Sequence, residues 1–289
     1  MLRKKIIIGS ANVNVSYGLK KNIISGSKFK KLLNFAKTKK LRIIDTSPSY
    51  ADAEKVIGSI NKNFQIITKI PKIPFSIKNK NIEKWIHNKL NSSQKNLKSK
   101  KFYGILIQDA KTLLTHKGKK IYCIIKKLKK LGVIKKIGIS IYDFRILMKI
   151  IEKFKIDFIQ APFNILDQRL LHNKLNLKIK KKGIKIHVRS IFLQGLLTEK
   201  NIKLPKKNLV KLKKTLSQWN DWTKKNNIDP FHACLEFILT NKNIDKFVIG
   251  VNNLDQLKQI VNYKKKNINF GNFRIKIKDP YILDPRKWN

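Results

Sequence analysis

"LRIIDTSPSYADAEKVIG", residues 41–58, decides how this chain is read. Leu41 to Ile44 are a short apolar run of the kind that forms a buried strand. Asp45 follows, then a Ser/Pro turn, then Tyr50, then a helix start at Asp52–Glu54. Asp, Ser and Pro are ordinary turn formers, so the segment alone asks for nothing beyond turn chemistry. A strand that delivers a carboxylate and then a phenol into the loop before a helix gains meaning only from its neighbours.

Outward from that segment the pattern repeats. Short β-type runs stand at 5–11 (KIIIGSA), 42–47 (RIIDTS), 64–70 (FQIITKI), 102–109 (FYGILIQD), 136–141 (KIGISI), 158–163 (FIQAPF), 185–190 (KIHVRS) and 246–251 (KFVIGV). Amphipathic helical stretches lie between them at 28–40, 52–60, 81–98, 119–132, 143–155, 174–183 and 231–241, and another at 254–266 follows the last run. Gly132 and Gly183 each fall just past a helical run and before a strand, as helix stops do. Eight strand–helix units predict a (β/α)8 TIM barrel in a single domain over residues 1–289. The stretch 192–229 is longer than one loop and one helix need, and predicts an excursion over one barrel end with an extra helix around 209–226. The C-terminal tail carries two Asp-Pro steps, at 279–280 and 284–285, expected to be extended or turned rather than helical.

Composition narrows the function classes. The chain has 289 residues, 42% of them hydrophobic, ample for a barrel core. No run of apolar residues is long enough to span a bilayer, and the start, MLRKKIIIGS, is too short in apolar residues for a secretory segment. Cys123 and Cys234 sit far apart in apolar helical patterns and are expected to be buried free thiols, which fits a cytoplasmic protein. The formal charge of +49 comes from 66 Lys+Arg against 17 Asp+Glu. Only Arg3, Arg42, Arg145, Arg169, Arg189, Arg274 and Arg286 are arginines; the other basic residues are lysines spread over the whole chain beside many Ile and Asn, the residues of A/T-rich codons. A dedicated nucleic-acid groove favours Arg forks with interleaved aromatics, so no specific nucleic acid is expected as a partner, only nonspecific binding at low salt. The histidines, His87, His116, His172, His187 and His232, have no metal-ligand spacing, and His187 is expected to be a packed, hydrogen-bonded residue.

In a barrel of this kind chemistry sits where the strands end. The second strand ends in Asp45 with Tyr50 in its loop, the third in Thr68–Lys69, the fourth in Gln108–Asp109 and the fifth in Ser140. The sixth carries Gln160 and leads to Asn164, the seventh carries Arg189–Ser190, and the eighth ends in Gly250 before Asn252 and Asn253. A lysine at the end of an apolar strand points into the barrel mouth, where an unpaired ammonium is costly, and Asp45 is its natural counter-ion. A cation beside a phenol favours phenolate and lowers a tyrosine pKa from about 10. Such a phenol can give a proton to a developing alkoxide. The hydride of a carbonyl reduction has to come from a cofactor.

These residues, in this order, resemble the aldo-keto reductase family of NAD(P)H-dependent barrel oxidoreductases. IIDTSPSYADAEKVIG is similar to the family's Asp-Thr-(Ala/Ser)-x-x-Tyr-Gly-x-(Ala/Ser)-Glu signature, and IITK supplies its lysine. GISIYDF, IQAPFNILDQRL and VIGVNNLDQLKQIV resemble the segments at strands five, six and eight, and HVRSIFLQGLL resembles bacterial members near sugar and surface-polysaccharide pathways. The resemblance implies Tyr50 as proton donor, Lys69 as its tuner, Asp45 as the partner of Lys69 and Gln108 at the substrate carbonyl. It implies NADP(H) or NAD(H) as cofactor, with contacts at Ser140, Gln160, Arg189, Ser190, Gly250, Asn252, Asn253 and Gln256, and a small-molecule carbonyl substrate, in a monomer or weak oligomer.

The chain departs from the family at four places. Gln108 stands for the usual His, Ile141 for the usual Asn, Arg189 for the aromatic that stacks on the nicotinamide, and Gln256 for the Arg that grips the 2′-phosphate of NADP. Gln108 can still donate through its amide but cannot shuttle a proton. Two other readings stay open: a cofactor-binding barrel with reduced or lost turnover, motivated by Gln108 and Ile141, and a basic nucleic-acid binder, motivated by charge alone.

Overall fold

Eight of the runs rich in isoleucine and valine become eight parallel strands: β1 (Ile6–Gly9), β2 (Ile43–Asp45), β3 (Gln65–Ile70), β4 (Phe102–Ile107), β5 (Ile134–Ser140), β6 (Phe158–Pro162), β7 (Lys185–Arg189) and β8 (Lys246–Ile249). Each pairs with the next, and β8 returns to β1 through Ile6↔Phe247, Ile7↔Val248 and Ile8↔Ile249, so the sheet closes. This is a (β/α)8 barrel. The structure is a computed structural model that describes residues 2–16, 23–60, 63–199, 210–271, 273, 277, 279–284 and 288.

The helices are α1 (Gly26–Thr38), α2 (Ala53–Gly58), α3 (Ile82–Leu97), α4 (Gly118–Lys130), α5 (Leu147–Lys153), α6 (Leu175–Lys181), α7 (Val210–Lys225), α8 (Pro230–Thr240), α9 (Leu254–Val261) and α10 (Pro280–Leu283). Their apolar stripes set how they lie. α1 buries Phe29, Leu32, Leu33 and Ala36, and α4 buries Ile121, Ile124, Ile125 and Leu128, each on one face at helical spacing. Cys123 falls on the far face of α4 and is exposed, contrary to expectation; Cys234 is buried, and both thiols are free. Gly132 and Gly183 adopt φ of +70° and +73°, the left-handed stop that the sequence predicts at these positions. Among the described residues no helix is long and apolar enough to cross a membrane.

Strand alternation divides the core. One side of the strands packs on the helices, while Ile7, Ile43, Ile67, Leu106 and Phe158 fill the barrel interior. Phe158 needs room that two glycines supply. A Cβ at Gly138 would fall 2.4 Å from its ring, and one at Gly104 would fall 3.1 Å away. His187 lies beside Phe158, with ring centroids 4.7 Å apart. It is packed as expected, but its Nδ1 is buried with no hydrogen-bond partner among the described residues. Burial, then the charge of Lys246, push the His187 pKa down to about 3, with Asp245 opposing and Lys136 reinforcing the shift.

The floor of the barrel is held by two matching clamps. Asp157, just before β6, accepts from the Ile137 amide of β5 at 2.7 Å and from Lys129 Nζ of α4 at 2.6 Å. Asp245, just before β8, accepts from the Ile186 amide of β7 at 2.8 Å and from Lys180 Nζ of α6 at 2.9 Å. Each clamp fixes a strand start to its neighbour and to a helix end, which sets register at the face away from the chemistry.

The ends of the chain differ from expectation in two ways. α9 stops at Val261 rather than running on to 266, because Glu236 of α8 captures the segment beyond it. Glu236 accepts from Tyr263 Oη at 2.6 Å and from the Lys266 and Asn267 amides at 3.0 and 3.2 Å. Pro280 opens the single turn of α10 instead of an extended step, since at a first helical position its missing N–H is not needed. The second Asp-Pro step lies partly outside the described residues. So does part of the excursion after β7, at 200–209; the rest carries α7, whose buried Trp219 donates to the Leu197 carbonyl at 2.9 Å.

Gly138→Ala should therefore cost about 1–3 kcal/mol, the usual range for forcing a methyl into a filled core. A urea midpoint equal to wild type would show that the Phe158 ring has slack. The His187 shift gives a pH dependence. The group titrates near its ordinary 6.5 in the unfolded chain and near 3 in the fold, so acid protonates the unfolded chain first. Its contribution is intact above pH 6.5 and is lost as pH falls toward 3. Between pH 6.5 and 5 wild type should lose up to about 1.4 kcal/mol per pH unit more than His187→Leu. Parallel stability curves for the two proteins would contradict the assignment.

Candidate active site

The C-terminal ends of the strands gather the polar residues that the interior excludes. Asp45 closes β2, and Thr46 and Ser47 continue it, all three buried. The chain then folds on itself. The Tyr50 amide bonds the Ser47 carbonyl at 3.0 Å, and the Ala53 amide bonds the Tyr50 carbonyl at 2.9 Å as α2 begins. Tyr50 is half-buried at the turn between them.

Lys69 leaves β3 two positions beyond Ile67, the register partner of Asp45. Its ammonium donates to Asp45 Oδ1 at 2.5 Å and to the Thr46 carbonyl at 2.9 Å. It lies 4.8 Å from the centre of the Tyr50 ring. Burial alone would depress the Lys69 pKa, but the charge of Asp45, then that of Tyr50, and hydrogen bonds to both raise it to about 12. Lys69 is thus a fixed cation at every ordinary pH. The other oxygen of Asp45 accepts from Gln160 Nε2 of β6 at 2.8 Å. Asp45, Lys69 and Gln160 are 4, 5 and 2% exposed.

Glu54 supports this arrangement from behind. It sits in the first turn of α2, buried, and its Oε1 accepts from Thr68 Oγ1 of β3 at 2.8 Å and Ser93 Oγ of α3 at 3.0 Å. Burial pushes its pKa up, partly offset by hydrogen bonds from Thr68, Ser93 and Asn96 and by Lys69. Glu54 fixes the start of α2, and with it the Tyr50 turn, to the strand that carries Lys69. In the sequence only its place in the signature marks it.

A cleft of about 1340 Å³ opens over β4, β5 and β6, lined among others by Gln108, Ser140, Tyr142, Phe144 and Arg169. Gln108 is anchored through its backbone amide to the Ile70 carbonyl at 3.0 Å. Its Oε1 is buried without a partner among the described residues, which leaves Nε2 as the end available to the cleft. Ser140 is buried at the base of the cleft, and Ile141 beside it is apolar and buried. Sequence reading passes over Tyr142 and Arg169. The Arg189 guanidinium lies 3.8 Å from the Tyr142 ring centre and donates to the Ile141 carbonyl at 3.3 Å. Arg169 is forked onto buried Asp167 at 2.7 and 2.8 Å and lies over Phe144. No spacing rule picks out such stacks.

The β8 end forms a separate group. Asn253 caps α9, its Oδ1 accepting from the Gln256 amide at 2.9 Å, while Gln256 Oε1 accepts from the Asn252 amide at 2.8 Å. Asn12 braces Asn252 at 2.8 Å. Gly250 precedes this turn with open space where a Cβ would stand. Ser190, in a left-handed conformation, is held through its carbonyl by Asn164 Nδ2 at 3.0 Å. The structure therefore joins Asp45, Tyr50, Lys69 and Gln160 directly. It places Gln108 and Ser140 on one cleft, Arg189 and Ser190 on the adjacent rim, and Gly250, Asn252, Asn253 and Gln256 in their own loop. Among the described residues no cluster of His, Cys, Asp and Glu could hold a metal ion.

A nicotinamide dinucleotide fits these donors. Gln160 Oε1 and the Ser140 hydroxyl make no hydrogen bond among the described residues, so an acceptor and a donor remain side by side on paired strands for a carboxamide. The open space at Gly250 and the capped start of α9 suit a phosphate. Gln256 brings no charge to a 2′-phosphate: its Oε1 accepts from the Asn252 amide, and only the neutral Nε2 remains to donate.

Comparison with known proteins agrees with the barrel fold. The family model described as "Aldo/keto reductase family" matches residues 5–273. Among solved structures, the holo form of aldo-keto reductase AKR11C1 from Bacillus halodurans superposes with a TM-score of 0.72 at 15% identity, covering 91% of this chain and 88% of that one. Glycerol dehydrogenase AKR11B4 from Gluconobacter oxydans gives 0.66 at 15% identity, covering 91% and 87%. No match was found among curated protein sequences.

Proposed function

The chain belongs to the aldo/keto reductase family, and from that premise we propose that it is a cytoplasmic NAD(P)H-dependent oxidoreductase that reduces the carbonyl of a small aldehyde, ketone or sugar, with Tyr50 as proton donor. The observation that carries this reading is the buried Lys69 ammonium, held by Asp45 and the Thr46 carbonyl and turned onto Tyr50. A permanent cation at hydrogen-bond range of a phenol stabilises the tyrosinate that proton donation leaves behind.

The dinucleotide, when bound, supplies the hydride. Tyr50 Oη gives its proton to the carbonyl oxygen as the carbonyl carbon gains hydride, so C=O becomes CH–OH and tyrosinate remains beside Lys69. Reprotonation from solvent resets the site. Gln108 Nε2 donates a second hydrogen bond to the developing alkoxide without transferring a proton. Asp45 keeps Lys69 aimed. Ser140 and Gln160 hold the carboxamide, Arg189 and Ser190 flank the cofactor path, and Gly250, Asn252 and Asn253 receive phosphate at the start of α9. Gln256 contributes no charge to separating NADP from NAD. Run backwards, tyrosinate takes the proton of an alcohol whose hydride would pass to the oxidised dinucleotide.

Tyr50→Phe should leave dinucleotide affinity near wild type and cut carbonyl reduction by about 10²–10⁴-fold, the usual worth of a positioned acid. Undiminished turnover in that variant would sink the assignment. Gln108→Ala should slow single-turnover hydride transfer by up to about 10²–10³-fold, the cost of losing one oxyanion donor. Its pH profile should keep its shape, because an amide does not titrate. A rate equal to wild type at every pH would make Gln108 a rim residue only.

A further inference from the structure

The mouth of the barrel contains a hydrogen bond that the proposed reaction leaves unused: Gln160 Nε2 to Asp45 Oδ2, 2.8 Å, between residues 115 positions apart in the chain. We infer that Gln160 is a positioning residue that joins the dinucleotide seat to the proton donor, so that seating the nicotinamide and setting the ionisation of Tyr50 are one coupled event. The inference rests on the proposed function.

Three features carry it. First, the orientation of the Gln160 amide is forced. A carboxylate only accepts, so the end that faces Asp45 is the nitrogen, and Oε1 must face the other way. With Ser140 as its register partner on β5, that oxygen is placed to accept from the NH2 of a carboxamide and from nothing that lacks a donor. Second, the Asp45 carboxylate is fully divided. One oxygen holds Lys69 and the other holds Gln160, so a shift of Gln160 moves the acceptor that aims Lys69. Third, Lys69 has three N–H groups and spends them on Asp45, Thr46 and Tyr50. It cannot give up geometry at Asp45 without changing its bond to the phenol. Among the described residues, the acids that act on Lys69 are Asp45 from β2 and, behind Thr68, Glu54 from α2. Of the residues hydrogen-bonded to Asp45, Gln160 is the one paired in register with Ser140. A donor on Oε1 polarises the amide and strengthens Nε2 as a donor to Asp45, as bonds in a chain do. By linkage, whatever dinucleotide binding does to the Tyr50 ionisation, that ionisation does to dinucleotide affinity.

The test compares wild type with Gln160→Met, similar in length and without hydrogen bonds. The probes are NADPH, NADH and their 3-acetylpyridine analogues, in which a methyl replaces the carboxamide NH2. Calorimetric titration over pH 6–10 should show wild type preferring the carboxamide by about 2–10-fold, one neutral hydrogen bond, with affinity that changes through the Tyr50 ionisation. In Gln160→Met the preference and the pH dependence should both vanish. In kcat/KM for carbonyl reduction the apparent pKa of the acid should rise by roughly one unit in the variant, because Lys69 is less firmly aimed. A lost preference with an unmoved apparent pKa would overturn the coupling, leaving Gln160 as a cofactor contact only. If Gln160→Met does not fold, wild type decides the matter: dinucleotide affinity that is flat from pH 6 to 10 overturns the inference. Failure of the proposed function looks different. Wild type would then bind the dinucleotides with this pH dependence, yet reduce no aldehyde, ketone or sugar.

Discussion

The buried ion pair between Lys69 and Asp45 is the constraint around which the upper half of the barrel is arranged. Taking an ammonium and a carboxylate out of water costs several kcal/mol per ion, and their attraction returns this only with good geometry and further hydrogen bonds. Both conditions are met from different strands. β2 and β3 set the two charges side by side, the Thr46 carbonyl takes a second ammonium proton, and Gln160 reaches across from β6 to the remaining carboxylate oxygen. Such a cluster is a poor way to gain stability. It is a good way to hold one cation at one place, which is what a phenolic acid needs beside it.

Stability comes from the other end. The interior plug of Phe158, Ile7, Ile43, Ile67 and Leu106 lies between that cluster and the floor, where Asp157 and Asp245 tie strand starts to helix ends. The division is physical. Polar groups at the mouth remain partly unsatisfied, as Gln108 Oε1 does, whereas the floor carboxylates accept from a backbone amide and a lysine at once. His187 marks the boundary: an aromatic neighbour packs it, and too few polar partners reach it to let it charge.

Much of this is legible in the sequence because closure of a parallel barrel leaves little freedom. All eight strand positions are readable from isoleucine-rich runs, and the fold puts strand ends together, so residue order alone brings Asp45, Tyr50 and Lys69 to one rim. What stays hidden depends on side-chain direction. Gln160 can be placed on β6, but nothing in its spacing says that its amide turns to Asp45 rather than to the cleft. Gln256 can be counted at the start of the last barrel helix, but not seen folding back on the Asn252 amide. Lys129 and Lys180 are lost among the chain's many lysines, although each closes a floor clamp. Cys123 misleads because a helical pattern with one apolar face also carries small residues on the other.

The scarcity of acids explains why the few carboxylates are informative where the lysines are not. With 66 basic residues and 17 acidic ones, carboxylates cannot neutralise the surface, and most lysines have no partner to find. The buried acids are instead used as multi-point acceptors: Asp45 for Lys69 and Gln160, Glu54 for Thr68 and Ser93, Glu236 for Tyr263 and two backbone amides. Each ties together elements remote in sequence, so substitution of any one strands several donors at once. The unpaired positive charge acts elsewhere. It makes a long-range field that draws in anions, a dinucleotide among them, and fades within about 10 Å at 0.1 M salt. That field raises encounter rates without choosing among anions, and in the function we propose the choice falls to the short-range groups at the mouth: the Gln160 oxygen, the Ser140 hydroxyl and the open space at Gly250.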